Sequence, residues 1–353
     1  MIEIDGAQGE GGGQLVRTAV AVAATTGVPV HVINVRANRR NPGLAAQHAA
    51  AVRAVAMLCD ARIEGVQPRS MEISFRPGRL RGGEFEVDVG TAGSIPLVLQ
   101  AMLPAAVATA ERVVMTIRGG TDIRAAPPID YLRLVLLPLL ERMGVHAELT
   151  IVRRGYFPKG GGEVRLELLP VQRLLPFSVL ERGPVERIEA HAHVAHLPRG
   201  IAERMESAAR AALPPGLEIQ AQVDVCAPEL ALGPGGAIVL RALAAHTTLG
   251  AAQVAQRGVP AERLGQVAAT DLKRDLDAQA TLDIHAADQI LVYLALAHGP
   301  SAFRAAELSS HAATAIWLLE KLTAARFSVE SVGAGVLVRV DRVGSAGERR
   351  GVS

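Results

Sequence analysis

Short runs of β-branched and apolar residues, Ile2 to Ile4, Val30 to Val35, Glu72 to Phe75, Phe85 to Val89 and Arg112 to Ile117, punctuate the first third of the chain. Between them lie longer stretches rich in Ala and Leu whose apolar positions recur at helical spacing. The pattern predicts an α/β or α+β fold. Its order is strand, helix (Gly13 to Thr26), strand, helix (Leu44 to Asp60), then two strands within Arg62 to Phe75. That is a βαβαββ unit of roughly eighty residues.

The same order returns with a strand near Phe85, a helix from Ser94, a strand near Val113, a helix from Ile129, and two strands between Glu148 and Leu168. A third copy is split. Phe177 to Leu180 reads as its first strand, and Ala287 to Ala297, Phe303 to Leu308, Ala312 to Ala324 and Phe327 to Val340 supply the rest. The stretch between has strands at Ile188 to Val194 and Ile238 to Leu243, with helices from Arg199 and Pro260. These boundaries predict a large discontinuous domain, 1–184 with 277–343, a smaller inserted α/β domain, 185–276, and a flexible tail, 344–353.

With 353 residues, 49% hydrophobic and 20% charged, the chain has material for one large core or two moderate ones. Aromatics are only 3%, so few rings are available for stacking bases, and an RNA ligand would be held through phosphates and sugars. A net charge of +2, from 37 basic and 35 acidic residues, argues against coating a long nucleic acid and leaves a short strand end as a ligand. Cys59 and Cys226 are too few for a zinc cluster and suit a reducing cytosol. The N-terminal residues lack a basic segment followed by an apolar run, and no apolar stretch reaches spanning length, so the expectation is a cytoplasmic protein without membrane contact.

Candidate chemistry sits on loops that open helices. GEGGGQLVR places Glu10, Gln14 and Arg17 around a glycine turn at a helix start, where free N–H groups favour an anion; a plain strand-to-helix turn has the same composition. In VRANRRNPGLAAQH, Arg36, Arg39 and Arg40 precede a helix carrying Gln47 and His48, and guanidinium pairs grip phosphate; a solvated basic face is the alternative. Gln100 reads as a pocket amide or a satisfied core amide, and Asp122, Arg124, Pro127 and Pro128 share a loop. FPKGGGEV reads first as a hairpin turn. His191, His193 and His196 alternate on a strand without a nearby carboxylate cluster, which argues against a metal there. His311 stands where a strand gives way to a long amphipathic helix, a place from which side chains reach a cleft.

Together and in this order, GAQGEGGGQ, RANRRNPGLAAQH, FRPG followed by RGGEF, AGSIPLVLQ, RGGTDIRAAPP, GYFPKGGGEV and the AADQI helix resemble the RNA 3'-terminal phosphate cyclase family, from Ile2 to about Val340. The resemblance implies three βαβαββ units plus one inserted domain. It implies that His311 is the nucleophile, with Arg17 and Arg39 as catalytic partners, and that Glu10 holds a divalent cation, Mg2+ or Mn2+. Gln14, Arg36, Arg39 and Gln47 would meet phosphates and RNA; Gln100, Pro127, His285, Asp288 and Gln289 would line the nucleotide pocket. The chain departs from the family pattern at His285, where many bacterial members have an aromatic residue, at ELSS before His311, and at Ala315, where many relatives have asparagine.

The implied activity is ATP-dependent conversion of an RNA 3'-phosphate into a 2',3'-cyclic phosphate through a covalent histidyl-AMP and an RNA-adenylate. ATP and RNA with a 3'-phosphate end are the implied partners. Two other functions share the architecture: a non-catalytic ribosome-assembly role, whose bearers lack the nucleophilic histidine, and enolpyruvyl transfer, which needs no adenylation.

Overall fold

The first apolar runs become the sheet of one unit and the Ala-rich stretches its helices. In the computed structural model, which describes residues 1–90 and 92–342, that unit comprises β1 (Ile2–Asp5), α1 (Gly13–Thr26), β2 (Val30–Ile33), α2 (Ala46–Cys59), β3 (Arg62–Glu64) and β4 (Ile73–Arg76). The proposed tail, 344–353, lies outside the described residues. The second unit comprises β5 (Gly83–Asp88), α3 (Ile95–Val107), β6 (Val113–Gly119), a helix over 129–141, β7 (Ala147–Arg153) and β8 (Gly162–Leu168). That helix is built of α4 (Ile129–Tyr131), a π turn (Leu132–Leu136) and α5 (Leu137–Glu141). Pro138, which has no N–H to donate to the preceding turn, is the second residue after the wide turn.

The third unit opens with β9 (Ser178–Val179), shorter than the predicted run. A separate stretch follows: β10 (Val185–Ala195), α6 (Arg199–Ala212), β11 (Ile219–Cys226), β12 (Gly235–Ala244), β13 (Thr247–Val254) and α7 (Ala261–Asp277). The unit then resumes with α8 (Ile284–Leu296), β14 (Ser301–Ala305), α9 (Ser310–Leu322), β15 (Ala325–Val332) and β16 (Gly335–Arg342). The repetition extends from element order to strand pairing. The sheets run β1-β2-β4-β3, β5-β6-β8-β7 and β9-β14-β16-β15, each with its first two strands parallel and the remaining pairs antiparallel.

Helices of all three units contribute to one hydrophobic core, where α1 packs on α2, α3 and α9 and buries Leu15, Val16, Ala19 and Val20. Small side chains let these helices approach closely, and each fully buried Leu or Ile adds roughly 1.5–3 kcal/mol. The stretch within the third unit forms its own sheet, β11-β10-β12-β13, and a second core in which Met205 of α6 and Leu264 and Leu272 of α7 meet Ile188, Val194 and Leu240.

Strands β11 and β13 are absent from the sequence-based expectation. β13 carries Gly250 and Ala251, poor strand formers, for a reason that lies outside it: a Cβ on Gly250 would come 2.5 Å from Val135 Cγ2. The close approach is fastened by Asp283, fully buried at the N-cap of α8, which accepts from the Gly250 N–H (2.8 Å) and the Tyr131 hydroxyl (2.6 Å). No described helix is long and apolar enough to cross a membrane.

Candidate active site

The glycine turn before α1 is short enough to bring three chain segments together. The Glu10 N–H donates to Thr314 Oγ1 of α9 at 3.0 Å, tying the turn to the helix that carries His311. The Glu10 carboxylate pairs with the Arg39 guanidinium, which also donates to the Glu10 carbonyl at 2.9 Å. On its other side, Glu10 Oε2 lies 3.5 Å from His311 Nδ1. Arg39 itself is positioned by a closed loop in which Arg36 donates to the Gly43 carbonyl at 2.8 Å. That bond commits part of the Arg36 guanidinium to the loop's own backbone.

A cavity of about 620 Å³ opens beside this group. From the first unit its lining takes Glu10, Gln14, Arg17, Arg36, Arg39 and Gln47; the second gives Gln100 and Pro127; the third gives His285, Asp288, Gln289 and His311. Every residue that the family resemblance assigns to the site therefore lines one space, although Arg39 and Asp288 stand far apart on the chain; Arg40 and Asp122 are not part of its lining. The cavity also takes His48 of α2, which the sequence reading named without a role, and Ala252, Gln253, Val254 and Gln256 from β13 and beyond, which it did not name.

The walls are ordered by short hydrogen bonds. Gln100 Nε2 donates to Gln289 Oε1 at 2.7 Å, and Gln289 Nε2 to the His285 carbonyl at 3.0 Å. The Ser309 hydroxyl, N-cap of α9, donates to Asp288 Oδ1 at 2.6 Å and so links the start of the His311 helix to the acidic wall. His285 meets Tyr131 edge to face, ring centroids 6.1 Å apart.

Charge in the cavity is arranged for an anion. Arg17 is 8% exposed and has no carboxylate partner among the described residues; burial alone pulls its pKa from 12.5 down to about 10. Burial, with Arg17 and Arg36 nearby, drives His48 down to about 3, so its ring stays neutral. Burial also lowers His311; Asp288 opposes this, while Arg17 and Arg39 add to it. Burial raises Asp288 against the Ser309 hydrogen bond. A half-buried neutral imidazole between guanidinium groups is suited to attack an electrophile carried by a polyanion.

For a divalent cation the cavity offers the Glu10 carboxylate, a donor that Mg2+ takes together with substrate phosphates and water; one oxygen is already paired with Arg39, so a cation would use the other, which lies 3.5 Å from His311 Nδ1, or displace the guanidinium. A second group contradicts the expectation for the alternating histidines. Folding brings His193 within 3.7 Å of Asp122 and 3.6 Å of Asp130, carboxylates remote from it in sequence. The Arg154 guanidinium already bridges both, so a metal there would have to displace it.

The family model described as RNA 3'-terminal phosphate cyclase matches residues 8–329. The chain belongs to the RNA 3'-terminal phosphate cyclase family. Among proteins of that name it is 52% identical to one from Nitrosospira multiformis over 339 residues, 96% of each chain. A second, from Ignicoccus hospitalis, is 45% identical and a third, from Methanopyrus kandleri, 44%, each covering 91% of this chain and 92% and 93% of its own. The enolpyruvyl transferase NikO from Streptomyces tendae matches at 13% identity and a TM-score of 0.40, over 96% of this chain and 47% of that one.

In this member of the cyclase family the glycine turn has a steric task besides any role toward anions. A Cβ on Gly13 would lie 1.9 Å from His48 Nε2, and one on Gly12 would lie 2.0 Å from Glu10 Oε2. Gly13→Ala is expected to push the His48 ring off the start of α1 and to cost about 1–3 kcal/mol of stability, the range for overpacking. Urea unfolding checks this, and an unchanged midpoint would show that the ring yields freely.

Proposed function

We propose that the protein is a cytoplasmic, ATP-dependent RNA 3'-terminal phosphate cyclase that works through a covalent AMP adduct on His311. The observation that carries this reading is the placement of His311 at a cavity with two guanidinium groups and a carboxylate, its imidazole kept neutral mainly by burial.

The chemical problem is the leaving group. A 2'-hydroxyl cannot readily expel oxide from a phosphate monoester, whereas a mixed anhydride with AMP supplies a good one. With Nδ1 on the Glu10 side of the ring, the Nε2 lone pair of His311 attacks the α-phosphorus of ATP. A P–N bond forms, the bond to the bridging oxygen breaks, and pyrophosphate leaves. An oxygen of the RNA 3'-phosphate then attacks the same phosphorus, the P–N bond breaks, and His311 is regenerated beside an RNA-adenylate. Finally the 2'-oxygen attacks the 3'-phosphorus, its proton passes to solvent, and AMP departs. Arg17 and Arg39 stabilise phosphoryl charge throughout, and Gln14, Arg36 and Gln47 meet the phosphates and the RNA end. Gln100, Pro127, His285, Asp288 and Gln289 hold the nucleoside. Glu10 would hold Mg2+ or Mn2+, which supplies charge compensation to the triphosphate. In this reading residues 1–184 and 277–343 form the catalytic body, and 185–276 an added domain that closes one wall of the cavity.

The direct test is an RNA oligonucleotide with a 3'-phosphate, incubated with ATP and followed by phosphatase resistance of the end. The same sequence with a terminal 2'-deoxynucleotide is expected to stall as the adenylate, because the last nucleophile is missing. AMP release from the deoxy end at the rate of the ribonucleotide end would overturn the scheme.

A further inference from the structure

The loop between β6 and the 129–141 helix is pinned at both ends by a buried ionic cluster that the phosphoryl chemistry does not use. Asp122 and Asp130 flank the loop, their side chains 0% and 3% exposed. Arg154 reaches both, at 3.3 Å to Asp122 Oδ2 and 2.7 Å to Asp130 Oδ2. The His193 imidazole lies against the same two oxygens, and its Nε2 is buried without a hydrogen-bond partner. Thr121 Oγ1 donates to Asp122 at 2.7 Å and Arg133 to Asp130 at 2.6 Å. Burial alone would raise Asp122, yet Arg154 and His193 draw it down to about 2. Asp122 is therefore ionised at neutral pH and held against the Arg154 guanidinium.

Between the two carboxylates the chain runs through Arg124, Ala125, Ala126, Pro127 and Pro128, all of which line the cavity. Ala125 has φ 63°, the left-handed region that a side chain disfavours, so the loop keeps its shape only while its surroundings impose it. His193 is carried by β10 of the second sheet. That sheet docks on the same corner, where the Arg154 N–H donates to the Leu230 carbonyl at 2.8 Å and Tyr156 packs on Ala195 and Ala231. Loop shape and sheet docking thus share one set of contacts.

We propose that the Asp122–Asp130 clamp, closed by Arg154 and His193, is a positioning device that holds the 124–128 loop against the nucleoside and makes that position depend on docking of the β10–β13 sheet. The nucleoside part rests on the proposed ATP reading; the clamp itself does not. His193 and Arg154 act through the loop and touch no reacting atom.

The test joins amide hydrogen exchange of nucleotide-free protein with ATP titration of the same samples. His193→Leu is expected to speed exchange at Ile123 to Ala126 by about 10-fold, leave α1 and α9 protected, and weaken ATP binding by about 10-fold. His193→Gln, which keeps a polar group against the carboxylates, should recover most of both. If His193→Leu does not fold, Arg133→Met, which removes a half-exposed partner of Asp130, should still loosen the loop alone by a few fold. Unchanged loop exchange in the folded variants, or an increase spread evenly over the protein, overturns the clamp. A wild-type protein that binds no ATP overturns the nucleotide reading, while the exchange result still decides the clamp.

Discussion

His311→Ala is expected to fold normally and to form no covalent adduct from ATP labelled at the α-phosphate, a loss of at least about 10³-fold because the nucleophile itself is gone. The side chain is half-exposed at the cavity and its ring makes no hydrogen bond that the fold requires. Stability should therefore change little while labelling disappears. His285 is the competing imidazole on the same wall, and His285→Ala should retain labelling with weaker ATP binding. The pH dependence carries its own sign. Attack needs neutral imidazole, and burial, aided by Arg17 and Arg39, holds the His311 pKa below its ordinary value of 6.5. Labelling should accordingly fall, as the ring protonates, at a lower pH than it would for an ordinary imidazole. Arg39→Met removes one of the cations that favour the neutral ring, so its fall should begin at higher pH.

The second large effect separates activity from stability. Arg17 is a buried guanidinium with no acidic partner among the described residues, and its charge is unfavourable until an anion arrives. Arg17→Met keeps the packing of the aliphatic stem and removes that charge. The variant is expected to be more stable by on the order of 1 kcal/mol or more without ATP, yet to lose about 10²–10³-fold in adduct formation. Thermal unfolding and single-turnover labelling on the same preparation check both. A fall in stability would mean that Arg17 is already compensated in the free protein.

The repeat was legible in the chain because each unit spells its elements in the same order, and period and turn residues are local signals. The strand pairing came from the structure alone. The site residues were legible only as scattered motifs, since Glu10, Arg39 and Asp288 become neighbours of one cavity only after three units pack. His48 was named beside Gln47 but given no role, for a related reason. In the sequence it is one more polar residue on an Ala-rich helix, and its significance lies in the missing Cβ of Gly13 beneath it. Gly13 does carry that signal, but only once its partner is known. β13 was unreadable because Gly250 and Ala251 serve a close approach to another element instead of strand propensity. Asp283, a polar residue before an apolar helix, announces a cap; its bonds to Tyr131 and Gly250 are tertiary. The same limit applies to His193, whose carboxylates, Asp122 and Asp130, flank a loop far earlier on the chain.

Passage of AMP through His311 is read by trapping the protein with ATP in the absence of RNA, digesting it, and mapping the added AMP by mass spectrometry. One adduct is expected, on the peptide containing His311, cleaved by acid, persistent in alkali, and lost when RNA with a 3'-phosphate is added. An adduct on a carboxylate or on His285, or cyclisation proceeding at full rate with no adduct at all, would contradict it.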